Sequence, residues 1–201
     1  MGDYTEIIAI IDRSGSMRTI KEEAIGGFNA FVDAQMQVPG EAALTLVLFD
    51  HESALAYQAR GLDDAPRLNE QNYIPRGTTA LLDAIGLAVD QAGQRFAAMA
   101  ESDRPGKVIV CILTDGIENA SDIYSRNQVA EMIKHQHEVY KWEFVFLAAD
   151  QDAFEVGSRL NIPAQTTFDY TATREGTVAA YEQMSRTVMD LRTEQATVLT
   201  S

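Results

Sequence analysis

An alternation of short apolar runs with amphipathic helical segments constrains this chain more than any other feature. Ile7-Ile8-Ala9-Ile10-Ile11, Leu44-Thr45-Leu46-Val47-Leu48-Phe49, Val108-Ile109-Val110-Cys111-Ile112-Leu113 and Phe144-Val145-Phe146-Leu147-Ala148 are almost continuously apolar. Short runs without polar alternation read as strands covered on both faces. They predict strands over 5–11, 44–49, 108–113 and 142–148. Between them apolar residues recur every three or four positions. Ile20, Ala24, Phe28, Phe31, Val32 and Met36 form one such stripe; Leu81, Ile85, Ala88, Ala92, Phe96 and Met99 form another. Val129, Met132, Ile133 and Tyr140 form a third, behind a capping residue, Ser125. Thr19 with Glu22 three residues on reads as a capping box for the first helix, and Pro39-Gly40 stops it.

Residues 53–59 form a further strand so soon after 44–49 that only a hairpin can join the two, which makes this strand antiparallel. Residues 61–76 read as an irregular surface connection. A short helix over 152–160, a strand over 165–170 and a C-terminal helix complete the chain. Val178, Tyr181, Met184, Val188 and Leu191 lie on one face of that last helix. Strands alternating with helices throughout predict an α/β fold: a doubly wound, mainly parallel six-stranded sheet with one antiparallel edge strand and helices on both faces, Rossmann-like.

With 201 residues, 46% of them hydrophobic, the chain suits a single domain over 1–201. Its C-terminal helix is expected at about 173–194, with a frayed tail at 195–201. The lone cysteine, Cys111, sits inside an apolar run and is expected to be buried and inert. A formal net charge of −14 repels nucleic acid and anionic membrane surfaces, so neither is expected as a partner. The first residues lack the basic and apolar regions of a signal peptide, and the expected location is cytoplasmic.

The candidate chemistry starts at Asp12-Arg13-Ser14-Gly15-Ser16, where the first strand turns toward a helix. Alternate residues of an extended loop point the same way, so the oxygens of Asp12, Ser14 and Ser16 can converge. Ligands of open α/β sheets bind at such strand ends. Two more loops should reach the same end: one carries Thr79 at the mouth of a helix, the other Asp115 behind the strand over 108–113. Carboxylates with neutral hydroxyls make a hard oxygen site, suited to Mg²⁺ and less exclusively to Mn²⁺ or Ca²⁺.

The same residues admit other readings. Short polar residues also cap helices, but capping explains neither Thr79 nor Asp115. Asp12, Ser14, Ser16 and Glu23 match positions 1, 3, 5 and 12 of a helix–loop–helix calcium site, but Met17 stands where glycine is needed. A metal-dependent hydrolase using Ser14 or Ser16 would need a base, and only His51, His135 and His137 are available. His135 and His137 read as surface residues of one helix, and no phosphate-binding glycine loop is present. Asp150 and Asp152 read as solvated turn and helix-cap residues, the alternative being that they add negative potential at the same face.

Asp12-x-Ser14-x-Ser16, Thr79 within Gly77-Thr78-Thr79-Ala80-Leu81, and Asp115 within Leu113-Thr114-Asp115-Gly116 together resemble a von Willebrand factor type A (vWA) domain. The five residues follow the order of that family's metal-ion-dependent adhesion site (MIDAS). The resemblance implies direct coordination by Ser14, Ser16 and Thr79, with Asp12 and Asp115 acting directly or through water. It implies a protein interaction module and no enzyme, with a partner Asp or Glu completing the metal shell. It further implies a place beside an ATPase or chelatase-type assembly, as for intracellular members, or a structural component whose metal site is weak or unused. The sequence departs at Thr78, where many members carry a second glycine. Arg13, Met17, His51, Arg76, Thr78 and Ile117 flank these positions and are expected to form the partner-facing rim.

Overall fold

The computed structural model describes residue 2, residues 4–149 and residues 152–198, with side chains through residue 193. The chain runs β1 (Tyr4–Asp12), α1 (Lys21–Met36), β2 (Glu41–Phe49), β3 (Ser53–Gly61), α2 (Leu81–Ala98), β4 (Lys107–Thr114), α3 (Arg126–Tyr140), β5 (Glu143–Ala149), α4 (Ala153–Arg159), β6 (Thr167–Tyr170) and α5 (Arg174–Val198). The sheet order is β3-β2-β1-β4-β5-β6. Among the described residues only the β2–β3 pair is antiparallel, as the short link between them requires.

The apolar runs are buried on both faces, as expected. Ile7, Ala9 and Ile11 of β1 pack with Phe28, Phe31, Tyr181, Met184 and Val188 under α1 and α5. Ile8 and Ile10 pack with Leu81, Ile85, Phe96, Val129 and Ile133 under α2 and α3. Cys111 is fully buried, and burial pushes its thiol far above the ordinary range, which keeps it protonated and inert. The chain leaves β1 toward β2 and re-enters on the other side of β1 at β4. The carboxyl ends of β1 and β4 therefore flank the point where the winding reverses, the place where this architecture opens a crevice.

Several local expectations are corrected. Thr19 does not cap α1: residues Gly15–Ile20 form a 3-10 helix, and the Thr19 hydroxyl donates back to the Ser16 carbonyl at 3.3 Å. The tight turn lets the chain enter α1 directly from the Asp12 loop, without a side-chain cap. The expected box is found instead at Ser125 and Gln128, which cap α3 reciprocally. Tyr140 and Val178, assigned to apolar faces, are 60% and 43% exposed. The connection over 62–76 is irregular, yet Leu62, Ala65, Leu68 and Tyr73 enter the core. α5 continues to Val198, past the expected end near 194; residues 199–201 of the expected tail lie outside the described residues. Asp152 caps α4, accepting the Glu155 N–H at 2.9 Å, and Asp150 lies outside the described residues. Among the described residues no helix is long and apolar enough to cross a membrane.

Candidate metal centre

β1 delivers Asp12 to the crevice with its side chain fully buried. One carboxylate oxygen accepts the Ser14 N–H at 2.6 Å, and the other accepts the Thr114 hydroxyl at 2.6 Å. The Asp115 N–H donates to it as well. Burial raises the Asp12 carboxyl above the usual carboxylate range; the bonds from Thr114, Ser14 and Asp115 offset this only in part. Every one of these donors is a neutral amide or hydroxyl. Neutral donors orient a carboxylate but do not cancel its charge.

The remaining oxygens follow in a line. Ser14 Oγ lies 3.0 Å from Ser16 Oγ, and the Ser16 hydroxyl donates to Asp115 Oδ1 at 2.6 Å. Ser14 and Asp115 are buried, whereas Ser16 is exposed and marks the open side. Thr79 joins from the loop ahead of α2. A Cβ on Gly116 would come within 2.6 Å of Thr79 Oγ1, so only glycine allows the two loops this contact. The structure thus brings Asp12, Ser14, Ser16, Thr79 and Asp115 to one place, from three loops.

Backbone bonds hold those loops in register. The Gly15 N–H donates to the Gly77 carbonyl at 3.1 Å, and the Arg76 N–H donates to the Arg13 carbonyl at 2.9 Å. Gly77 adopts φ +66°, and any side chain there would strike the His51 ring. The Tyr73 hydroxyl donates to the Asp12 carbonyl at 2.5 Å from beneath. Thr78 is exposed, so its extra methyl and hydroxyl point away from the core.

Of the expected rim, His51, Arg76, Thr78 and Ile117 are exposed and Arg13 is half-buried. Met17 is corrected: it is fully buried among the side chains under α1, because the 3-10 turn rotates it inward. Arg13 Nε and Arg76 Nε both donate to Asp50 Oδ2, at 2.8 and 2.9 Å. His51 Nδ1 lies 3.0 Å from Asp50 Oδ1. His135 is exposed, and His137 Nδ1 sits 2.9 Å from the Trp142 carbonyl, so each keeps to a structural position on α3.

Sequence reasoning missed Thr114, Asn119, Asp50 and Tyr73. Thr114 stands next to Asp115 and was within reach. Asn119 and Tyr73 touch the site only through the fold. Asp50, His51 and Glu52 also offer ligand atoms within 4.8 Å of one another. Against burial, the Glu52 N–H and then Arg76 and Arg13 pull the Asp50 carboxyl below the usual range, and the two guanidiniums balance its charge. A cation would have to displace them.

Doubly wound topology and one antiparallel edge strand define the class: a Rossmann-like domain, here with an oxygen cluster at the switch point. More narrowly, the chain has the vWA fold. A von Willebrand factor type A protein from Catenulispora acidiphila superimposes with TM-score 0.58 at 17% identity, over 92% of this chain and 42% of that one. The vWF domain of the type V pili tip protein Mfa5 from Porphyromonas gingivalis gives 0.62 at 10% identity, over 92% and 95%. Proximal thread matrix protein 1 from the mussel byssus, solved with a zinc-occupied MIDAS motif, gives 0.62 at 16%, over 93% and 46%. The chain therefore spans less than half the length of the first and third of these. No family model matches the sequence, and a search of curated proteins found no match.

Proposed function

We propose that this chain is a metal-dependent protein interaction module. Asp12, Ser14, Ser16, Thr79 and Asp115 would hold a divalent cation, and a partner's Asp or Glu would complete its shell. The observation that carries this reading is the buried Asp12 carboxylate, bonded only by neutral donors and continued by a line of oxygens to exposed Ser16. An all-oxygen set of two carboxylates and three hydroxyls fits Mg²⁺ first, with Mn²⁺ and Ca²⁺ as alternatives. When bound, the cation would supply an electrophilic point for a carboxylate. The chain's own residues orient that point: Thr114 and Ser14 aim Asp12, Asp115 aims Ser16, and Gly116 admits Thr79.

The role is non-enzymatic. The Ser14 and Ser16 hydroxyls face each other and Asp115, while His51 is turned to Asp50, so neither serine is paired with a histidine base. The net charge of −14 makes the cation decisive for an acidic partner. The setting proposed with it is cytoplasmic, beside an ATPase or chelatase-type assembly. The whole chain, 1–201, is proposed to act as one vWA unit.

Calorimetric titration of Mg²⁺ and Mn²⁺ into wild type and Asp12→Ala tests the site. Binding in wild type that vanishes in the variant is expected; equal binding in both sinks the assignment. Capture of partners with and without chelator tests the interaction, and a partner indifferent to chelator would place the interface elsewhere.

A further inference from the structure

We propose that Asn119 is a positioning residue of the metal centre: it fixes the Thr79 hydroxyl relative to Asp115, so that two ligand-bearing loops act as one body. The inference rests on the reading of Thr79 and Asp115 as metal ligands. Both hydrogen-bonding groups of the Thr79 backbone are committed to this one residue. The Thr79 N–H donates to Asn119 Oδ1 at 3.0 Å, and the Asn119 N–H donates to the Thr79 carbonyl at 3.0 Å. Fixing a residue's backbone on both sides fixes the direction of its Cα–Cβ bond, and β-branched threonine has few rotamers left. Three residues before Asn119, Gly116 closes against Thr79 Oγ1. The position of that hydroxyl is thus set by the loop that begins at Asp115.

The loop itself is fastened to the start of α2. That helix has no side-chain cap of its own. Glu118 accepts the Leu82 N–H at 2.9 Å, and Ser121 Oγ accepts the Asp83 N–H at 3.0 Å. In return the Asp83 carboxylate accepts the N–H groups of Asp122, Ile123 and Tyr124 at 3.0, 3.0 and 2.8 Å. These bonds satisfy donors that a helix start otherwise leaves open, and they anchor the loop independently of Asn119. Asn119 is itself exposed, and removing its side chain breaks only the bond from the Thr79 N–H; the backbone bond from the Asn119 N–H to the Thr79 carbonyl remains. Its loss should loosen Thr79 without unfolding the loop.

The test titrates Mn²⁺ alone into metal-free wild type, Asn119→Ala, Asn119→Asp, Thr79→Ala and the Asn119→Ala/Thr79→Ala double variant, with thermal melting of each. Asn119→Ala is expected to bind about tenfold more weakly, the usual effect of removing a partner that orients a ligand, and to melt within a few degrees of wild type. Asn119→Asp keeps the accepting oxygen and should bind at least as tightly as wild type. The double variant should bind no more weakly than Thr79→Ala, because Asn119 acts through Thr79. Wild-type affinity in Asn119→Ala, or losses that multiply in the double variant, overturn the proposal while leaving the metal site standing. Absence of Mn²⁺ binding in wild type overturns both.

Discussion

Asp12 closes β1 and Asp50 follows β2, in a register that sets Asp12 beside Phe49. Both side chains are fully buried. Their surroundings are opposite. Asp50 meets the guanidinium groups of Arg13 and Arg76, and its carboxyl is held below the ordinary range. Asp12 meets hydroxyls and amides, and its carboxyl is raised above that range by burial. By residue type, Asp50-His51-Glu52 looks the better metal cluster. The arginines make it a finished ionic joint between the loops after β1 and β3. Under the proposed function, what marks a site for a cation from outside is a buried negative charge that the protein orients and does not neutralise.

This contrast is easiest to break by removing each charge in turn. Asp50→Ala leaves Arg13 without its partner and should destabilise the fold by about 3 kcal/mol, the low end for a broken buried pair; urea unfolding reads this directly. A wild-type midpoint would mean that the arginines find water at no cost and that Asp50 joins nothing. Asp12→Asn keeps the shape and one acceptor. It should weaken Mn²⁺ binding about 100-fold, or about 2.7 kcal/mol, while metal-free stability stays level or rises. Destabilisation of the metal-free variant would show that the charge of Asp12 already has its counterpart within the protein.

Acidity sharpens the contrast, because the two carboxyls are shifted in opposite directions. The stability that Asp50 contributes is complete above the unfolded carboxyl value of about 4. It is lost as pH falls through the lower folded value, so wild type's advantage over Asp50→Asn should vanish in acid. For Asp12, the sign reverses. Relative to Asp12→Asn, metal-free wild type should weaken as pH rises from about 4 through the raised folded value. Glu6 is also buried and raised, but it is common to both proteins and cancels in the difference. Parallel trends in the two comparisons would contradict the assignment of opposite shifts. The smallest effect is expected at Glu52, whose bond to Arg76 is exposed to solvent. Glu52→Gln should leave the melting temperature unchanged.

The sequence displayed most of the scaffold, because strands buried on both faces need unbroken apolar runs and these are visible without coordinates. The hairpin at β3 was legible from the shortness of its link. The five candidate ligands were legible because each follows or precedes a strand or helix signal. Met17 was misplaced for a definite reason: adjacency to Ser16 suggested a rim, but a 3-10 turn rotates each residue by 120° rather than 100°. Tyr73, Asn119 and the arginine pair on Asp50 were out of reach. Their roles depend on contacts across tens of residues, and no local periodicity encodes those. Thr19 failed for a related reason, since a capping pattern states what a helix start can use and not where the helix starts.

The stretch over 62–76 has no helix or strand, yet it plants Leu62, Ala65, Leu68 and Tyr73 in the core and ends on the Asp12 carbonyl. Irregular backbone here is not slack. It works as a strap, pulled tight at four points, with its longest exposed run at its midsection, residues 69–72. Lengthening the strap at that midsection should be tolerated, whereas cutting it there would free Tyr73, whose hydroxyl holds the Asp12 carbonyl at the start of the turn.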